Sequence, residues 1–136
     1  MLVVCREHGF AKKDAVAFAD LAREEFAVIS PDSYLWRQTV LHCQQAGFEP
    51  QVSITCGDLR CLMKYIGAGM AVTIGPEKAW RSLRSNDVAF VPTKPEVFRS
   101  TYVFRNGQKL MSRLCATYLE FLTDYFLQLG QETEKV

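Results

Sequence analysis

The sequence lacks an excess of charge of either sign. Its 136 residues include 16 lysines and arginines against 15 aspartates and glutamates, which leaves a formal charge of +1 at pH 7. A surface that binds nucleic acid needs a dense basic stripe to neutralise the phosphates. The chain by itself is therefore not expected to bind DNA tightly, although 49% apolar residues suffice for the core of one ordinary domain.

Long apolar runs are missing as well. The first five residues are mostly apolar, but Arg6, Glu7 and His8 follow them directly. This N-terminus fits neither a signal peptide nor a membrane span. We expect a cytoplasmic protein that does not contact a membrane.

The five cysteines include no CxxC pair. They are odd in number, and the closest two, Cys56 and Cys61, have no neighbouring histidine that would suggest a zinc site. The two histidines, His8 and His42, are too far apart in sequence to suggest a metal site. Reduced thiols in a cytoplasmic protein, without a bound metal, fit this pattern best.

Familiar catalytic motifs are also absent. The sequence has no GxSxG, no GxxxxGK[ST] and no HExxH. Catalytic triads assemble from segments that are distant in sequence, so a small α/β enzyme stays an alternative. It ranks below the non-enzymatic interpretations given at the end of this section. We predict no catalytic residue, no cofactor and no enzymatic activity.

Short apolar runs alternate with helical patterns along most of the chain. Strands are predicted at residues 2–5, 26–29, 51–56, 71–74, 88–91 and 101–104. Helices are predicted from 33 to about 47 and at 59–67, 76–80 and 110–129, with a helical or irregular turn at 14–21. Such alternation predicts an α/β fold with a parallel or mixed sheet.

The predicted helix at 110–129 is strongly amphipathic. Its apolar positions recur every three or four residues, at Leu110, Leu114, Tyr118, Phe121, Leu122, Tyr125 and Leu129. An apolar face this large has to pack against another protein surface, and exposing it to solvent favours self-association. We therefore predict a homo-oligomer, a dimer or a larger assembly.

Several short phrases, taken in order, resemble the second half of the effector-binding region of LysR-type transcriptional regulators. They are HGFA at 8–11, DL at 20–21, GFEP at 47–50 and AGMAVTIGPE at 68–77. Gly9 stands where the family usually has proline, and Ala71 replaces a common glycine. Each of these short motifs is weak evidence alone. Together they follow the order and spacing of the family, and the match covers nearly the whole chain.

The resemblance implies a type 2 periplasmic-binding-protein-like lobe, with a mixed, mostly parallel sheet flanked by helices. Residues 1–136 would form a partial effector-binding domain, in which about 9–95 make the second lobe. Residues 1–8 and 96–130 would supply hinge strands and the C-terminal helix of an incomplete first lobe. The family's DNA-binding helix-turn-helix lies outside this chain, so contact with DNA would be made only through that other domain.

The turn at 30–34 is the strongest candidate for a ligand site. It opens a predicted helix, whose free N–H groups and dipole favour an anion, and Ser33 and Tyr34 add hydroxyl groups. This turn and the one at 56–58 both follow strands, where ligands of α/β sheets gather. The resemblance implies effector contacts from Ser33, Tyr34, Trp36 and Gly57, and more weakly from Leu35 and Leu59.

Each of these residues also has an ordinary structural interpretation. Ser33 and Asp58 are frequent N-caps, and Trp36 at helical spacing is more often a core residue than a ligand contact. Arg37 is a candidate partner for a carboxylate effector, but an arginine in a first helical turn is usually solvated. Cys56 and Cys61 are candidates for a redox switch, and buried structural thiols explain them equally well.

The preferred interpretation is the small-molecule sensor of a LysR-type regulator, in which effector binding shifts lobe closure. The effector is a small molecule, with carboxylates as one candidate class. The main alternative is a ligand-independent dimerisation module or a truncated regulator remnant, which the uncovered C-terminal helix supports. A transporter's solute-binding protein is disfavoured by the missing export signal and the five cysteines.

Overall fold

The computed structural model describes residues 1–80, 82, 85–98, 102–104, 107 and 110–133. The chain divides into a first unit, Met1–Ser100, and a second unit, Thr101–Val136. The first unit contains the described strands, and the second contains one long helix. No helix within these described ranges is both long and apolar enough to cross a bilayer.

The first unit alternates strands and helices, as predicted. Its elements are β1 (Leu2–Cys5), β2 (Val16–Ala17), a 3₁₀ helix (Phe18–Leu21), β3 (Glu25–Val28), α1 (Tyr34–Gln45), β4 (Gln51–Thr55), α2 (Leu59–Gly67), β5 (Thr73–Ile74), α3 (Glu77–Trp80), β6 (Val88–Val91) and β7 (Thr93–Lys94). The predictions for β1, β3, β4, β5 and β6 are confirmed with small shifts at the ends. The two-residue strands β2 and β7 were not predicted, because such short segments leave no alternation to detect.

The strands pair in both directions. β1 lies between β5 and β6 and runs antiparallel to both. β3 pairs with β4, and β2 pairs with β7, in parallel. The described strands thus form a three-stranded antiparallel sheet and two parallel pairs, so the predicted single mixed and mostly parallel sheet is not found among them. The partners of β1 are distant in sequence, so no short connection to them fixes the direction of pairing.

Side-chain and glycine caps set the helix ends. The Ser33 hydroxyl accepts a hydrogen bond from the Trp36 amide at 3.1 Å, and Asp58 Oδ1 accepts one from the Cys61 amide at 2.8 Å. Gly47 follows α1 with a φ of 90°, a left-handed conformation that glycine adopts without a Cβ clash. The three predicted caps are confirmed.

The core consists of two apolar clusters on opposite faces of β1. Leu2 and Val4 belong to one cluster, together with Cys43 of α1, whereas Val3 belongs to the other. α2 contributes Leu62, Met63 and Ile66 to that second cluster. Because successive strand residues point to opposite faces, β1 serves both clusters at once, with one helix on each side.

The second unit departs from the prediction at two places. Its helix, α4, spans Arg113–Thr133 and begins three residues later than expected. The later start is explained by an N-cap, because Ser112 Oγ accepts a hydrogen bond from the Cys115 amide at 3.2 Å. The predicted strand at 101–104 is wrong for 102–104, which have no regular structure. A strand needs a neighbour for its backbone hydrogen bonds, and the described part of this unit offers none. Thr101 itself and the Leu129 side chain lie outside the described residues.

Replacement of Phe26 tests the first cluster. Phe26 is fully buried and packs against Trp36, with 5.7 Å between the ring centroids. We expect Phe26→Ala to lower the free energy of unfolding by about 3–5 kcal/mol, because it removes apolar contacts and leaves a cavity. Urea unfolding monitored by tryptophan fluorescence reports on this unit, since Trp36 and Trp80 both lie in it. Leu41→Ala, at an exposed position of α1, is the control, and an equal loss in both variants would contradict the core assignment.

The buried thiol of Cys43 predicts a pH dependence of stability. Burial, with a smaller contribution from Glu49, raises the pKa of Cys43 to about 12. Above about pH 9 the unfolded chain loses this proton while the folded chain keeps it. The free energy of unfolding should therefore fall by up to about 1.4 kcal/mol per pH unit from this group.

Comparison with Cys43→Ala isolates the contribution of this thiol. Stability measured at about pH 8 and about pH 10 should decrease more in the natural chain than in the variant, which has no thiol to ionise. Identical pH dependence in the two proteins would mean that Cys43 is accessible to water in the folded state.

Candidate functional site

A pocket opens at the start of α1, on the edge where β3 and β5 end. Its volume is about 200 Å³. We call it the α1 pocket; its lining residues are Val28, Ile29, Ser33, Leu35, Trp36, Thr39, Thr73, Ile74, Pro76 and Trp80. Strand direction explains its position. Phe26 and Val72 form a parallel bridge, so the chain segments of β3 and β5 leave the sheet at the same edge.

The first turn of α1 supplies the polar side of the α1 pocket. Ser33 caps the Trp36 amide, and helix geometry leaves the amides of Tyr34 and Leu35 without intrahelical acceptors. Thr39, buried one turn later, donates its hydroxyl to the Leu35 carbonyl at 2.9 Å. The positive end of the helix dipole therefore lies at the pocket, which favours a negatively charged group.

The opposite wall depends on a close approach of Trp80 to the backbone of Gly75. A Cβ built on Gly75 would lie 2.1 Å from the indole ring, so only glycine leaves room for the ring here. Gly75 is held in turn by Met1, whose carbonyl accepts from the Gly75 amide at 2.9 Å. Burial lowers the pKa of the Met1 amino group, which donates to the Gly75 carbonyl at 3.0 Å.

The α1 pocket is mainly apolar. None of its lining side chains carries a charge, and two of them are indoles that contribute flat apolar surface. A cavity of roughly 150 Å³ is large enough to bind benzene. The pocket therefore suits one small ring or a compact chain, with an anionic group directed at the α1 amides.

The structure brings together half of the predicted contact residues. Ser33, Leu35 and Trp36 line the α1 pocket. Tyr34 does not: it is 49% exposed, because the first residue of the helix directs its side chain away from the pocket. Arg37 is also exposed and is not part of the lining. Contact of any of these residues with an effector stays a prediction.

The turn after β4 lies beside the one after β3, but it is not part of the same pocket. The Cys56 amide donates to the Val28 carbonyl at 2.9 Å, which holds the ends of the two strands together. Gly57 has open space where a Cβ would be, and Leu59 packs against the second core cluster. Their predicted effector contacts would require a ligand that extends beyond the α1 pocket.

Several lining residues were not predicted from the sequence. Thr39, Thr73, Pro76 and Trp80 reach the pocket from α1, β5, the turn after β5 and α3, respectively. Gly75-Pro76 before a tryptophan was visible as a turn and a short helix, but the ring's contact with the glycine backbone has no local signal. Only the pairing of distant strands brings these segments to α1.

The thiols of Cys56 and Cys61 interact at the start of α2. A hydrogen bond with Cys56 is the main cause that raises the pKa of Cys61, and Cys56 Sγ also donates to the Asp58 carbonyl at 3.4 Å. A raised pKa disfavours the thiolate, the reactive form of the side chain. A redox role of this pair stays a prediction. Among the described residues, no group of three histidine, cysteine or acidic side chains is placed to hold a metal ion.

Comparison with known protein families identifies the family of this chain. Residues 1–127 match the LysR substrate binding domain. The chain belongs to the LysR substrate-binding domain family. This family consists of transcriptional regulators and is not enzymatic, so the sequence-based predictions of family and of no enzymatic activity are confirmed.

Individual LysR regulators are similar over most of this chain. GltC, a transcriptional dual regulator of Bacillus subtilis, is 29% identical over 126 residues, which are 91% of this chain and 42% of GltC. OxyR, a DNA-binding transcriptional dual regulator of Escherichia coli, is 30% identical over 116 residues, which are 83% of this chain and 38% of OxyR. The chain thus spans less than half the length of these relatives.

Solved LysR structures share the fold. The CcmR regulatory domain of Synechocystis, in complex with 2-PG, has a TM-score of 0.73 at 15% identity. The match covers 91% of this chain and 61% of the CcmR chain. The C-terminal domain of a probable LysR regulator from Rhodococcus has a TM-score of 0.65 at 22% identity. The match covers 90% of this chain and 62% of the Rhodococcus chain. The mixed α/β fold of LysR effector-binding domains is thereby established.

Substitution of Gly75 tests the wall of the α1 pocket. We expect Gly75→Ala to displace the Trp80 ring, change the tryptophan emission spectrum and destabilise the first unit by about 1–3 kcal/mol, as overpacking usually does. Gly9→Ala is the control, because a Cβ on Gly9 meets nothing within 4 Å. Unchanged emission and stability in Gly75→Ala would show that Trp80 does not pack on this glycine.

Proposed function

We propose that this chain is the small-molecule effector-sensing part of a LysR-type transcriptional regulator, and that the α1 pocket is its share of the effector site. One observation carries the proposal: in a chain of this family, a mainly apolar pocket opens at the capped N-terminus of α1, where β3 and β5 end. DNA binding would belong to a separate helix-turn-helix domain of the regulator, and the protein would act in the cytoplasm.

The proposal includes an arrangement of two lobes. Residues 9–95 would form the second lobe of a type 2 periplasmic-binding-protein-like domain. Residues 1–8 and 96–130 would be hinge strands and the C-terminal helix of an incomplete first lobe. The match to 61% of the CcmR regulatory domain supports a partial domain. The effector would then bind in the cleft between the lobes, and its preference for the closed form would shift the regulator's conformation.

The expected effector is a small anion with an apolar body. CcmR is in complex with 2-PG, and BenM is in complex with its effector benzoate. In this chain the α1 amides would face the anionic group, and Trp36 and Trp80 would contact the apolar part. Because the lining has no charged side chain, recognition would depend on the helix N-terminus and on hydrogen bonds from Ser33 and Thr73.

A pair of substitutions at Ser33 tests this role. Asparagine and aspartate both cap helices as well as serine does, so Ser33→Asn and Ser33→Asp keep the start of α1. Only Ser33→Asp adds a negative charge beside the proposed anion. With benzoate and 2-PG as probes at millimolar concentrations, we expect Ser33→Asp to weaken binding at least about tenfold and Ser33→Asn to change it less than about threefold.

Tryptophan fluorescence is the direct measurement, because Trp36 and Trp80 both line the pocket. Trp36→Phe should reduce the signal change, because only Trp80 then reports on the pocket, while leaving affinity measurable by calorimetry. Equal affinity of Ser33→Asp and Ser33→Asn for an anion that binds the natural chain would contradict an anion site at α1. A partial cleft binds weakly, since each lobe supplies only part of the contacts.

A second candidate function, ligand-independent dimerisation, has a specific observation in its favour. Large apolar side chains along α4, including Leu114 and Phe121, are exposed. A dimerisation module would associate to the same extent with and without a small anion. A sensor would show binding at the α1 pocket whatever its oligomeric state, so calorimetry and sedimentation separate the two functions.

A further inference from the structure

Two thiols come together at the point where β4 ends and α2 begins. Cys56 follows β4, and Cys61 lies in the first turn of α2. Cys56 Sγ lies 3.4 Å from the Asp58 carbonyl oxygen, which also accepts a hydrogen bond from the Leu62 amide at 3.0 Å. Asp58 Oδ1 accepts one from the Cys61 amide at 2.8 Å. The turn therefore folds the Cys56 side chain onto the helical turn that carries Cys61.

The two thiols share a hydrogen bond, and both remain accessible. Cys56 and Cys61 are each half-buried. Their hydrogen bond is the main cause of the raised pKa of Cys61. A proton held between two sulfur atoms occupies the position that a cation would take between two thiolates. The sulfur atoms are therefore close enough for one cation to contact both.

The other three cysteines are not placed to form such a pair in the first unit. Cys43 is fully buried in the first core cluster, and Cys115 belongs to α4 of the second unit. Cys5 Sγ lies 3.6 Å from the position that a Cβ on Gly69 would take, which is beyond the C-terminal end of α2. A site of two accessible thiols within the first unit can therefore be formed only by Cys56 and Cys61.

The number and type of donor atoms select the metal. Structural zinc almost always has four ligands. In the part of the chain that the structure describes, no third histidine, cysteine or acidic side chain joins the two thiols in a metal-binding group. Soft thiolate ligands favour monovalent copper over hard cations such as magnesium and calcium. Monovalent copper binds two thiolates in a line, so this pair can complete its coordination.

The start of α2 favours the charge of such a complex. Two thiolates and one monovalent cation carry a single net negative charge, and the positive end of the α2 dipole lies beside it. The Tyr65 hydroxyl, one turn further along, forms a hydrogen bond with Cys61 that lowers the pKa of this thiol. Asp58 acts in the opposite direction, but its contribution is the smallest. The largest contribution that raises this pKa comes from the Cys56 thiol, and a bound cation removes it by replacing the shared proton.

We propose that Cys56 and Cys61 bind one monovalent copper ion between their sulfur atoms. Binding releases the two thiol protons to solvent, forms two copper–sulfur bonds and leaves the oxidation state of copper unchanged. Neither cysteine lines the α1 pocket, so the site does not depend on the proposed effector binding. The two sites are nevertheless neighbours, because the Cys56 amide donates to the carbonyl of Val28, a lining residue, at 2.9 Å.

A competition titration tests the site in the whole 136-residue chain. Reduced protein, kept free of oxygen, is added to the coloured complex of monovalent copper with bicinchoninate, and we expect the natural chain to remove one copper ion per chain. Cys61→Ser should raise the Kd for copper at least about 100-fold, because a hydroxyl is a poor ligand for a soft cation. Cys115→Ser is the control, because it removes an exposed thiol outside the pair, and it should leave the Kd within about threefold.

A second variant and a spectroscopic measurement make the result independent of a folding defect. Cys56→Ser should weaken copper binding as much as Cys61→Ser does, with helical circular dichroism retained. X-ray absorption at the copper edge should show two sulfur neighbours in the natural chain, without any substitution.

Each outcome decides the proposal. Two sulfur neighbours, with loss of binding in Cys56→Ser and Cys61→Ser but not in Cys115→Ser, support it. Nitrogen or oxygen neighbours, or natural affinity in Cys61→Ser, overturn it. An equal loss in Cys115→Ser would mean adventitious binding to exposed thiols, and one copper for every two chains would mean a bridge between chains. Either result also overturns the proposal.

Discussion

The insertion of β1 between β5 and β6 is the constraint on which the first unit depends. This strand comes first in the chain and is hydrogen-bonded on both edges by segments about 70 to 90 residues away. Its three buried residues Leu2, Val3 and Val4 alternate between the two core clusters. Both helical layers are therefore organised on one short strand, and the cores on its two faces form together.

The same strand arrangement positions the α1 pocket. Because the segment at Val72 pairs parallel with β3, the turn after β5 lies beside the start of α1. Gly75 then allows Trp80 to close one wall, and Ser33 caps the helix that forms the other. Apolar walls with one group of free amides favour ligands that are mostly apolar and carry one anionic end.

The second unit is stabilised by different interactions from the first. α4 buries little of its apolar surface, and its stability depends on the Ser112 cap and on contacts between neighbouring aromatic side chains. An isolated helix of this kind is marginal in water unless its apolar face is packed. The apolar face of α4 therefore has to pack against another surface for the helix to be stable.

Local patterns in the sequence determined much of this protein. Alternation and apolar runs located five strands, and Ser33, Asp58 and Gly47 located helix ends, because caps depend on neighbours three or four residues away. The order of short phrases was sufficient to identify the LysR resemblance. Ser33, Leu35 and Trp36, for which the resemblance implied effector contacts, line the α1 pocket.

Only the tertiary structure decided the rest. The antiparallel direction of β1, the short strands β2 and β7, and the contact between Gly75 and Trp80 all depend on segments that are distant in sequence. Tyr34, Gly57 and Leu59 are not among the lining residues of the α1 pocket, which no local pattern could show, since lying at the end of a strand does not say which way a side chain points. Long-range pairing is specified by the sum of many contacts, none of which leaves a local signal that can be read from one sequence.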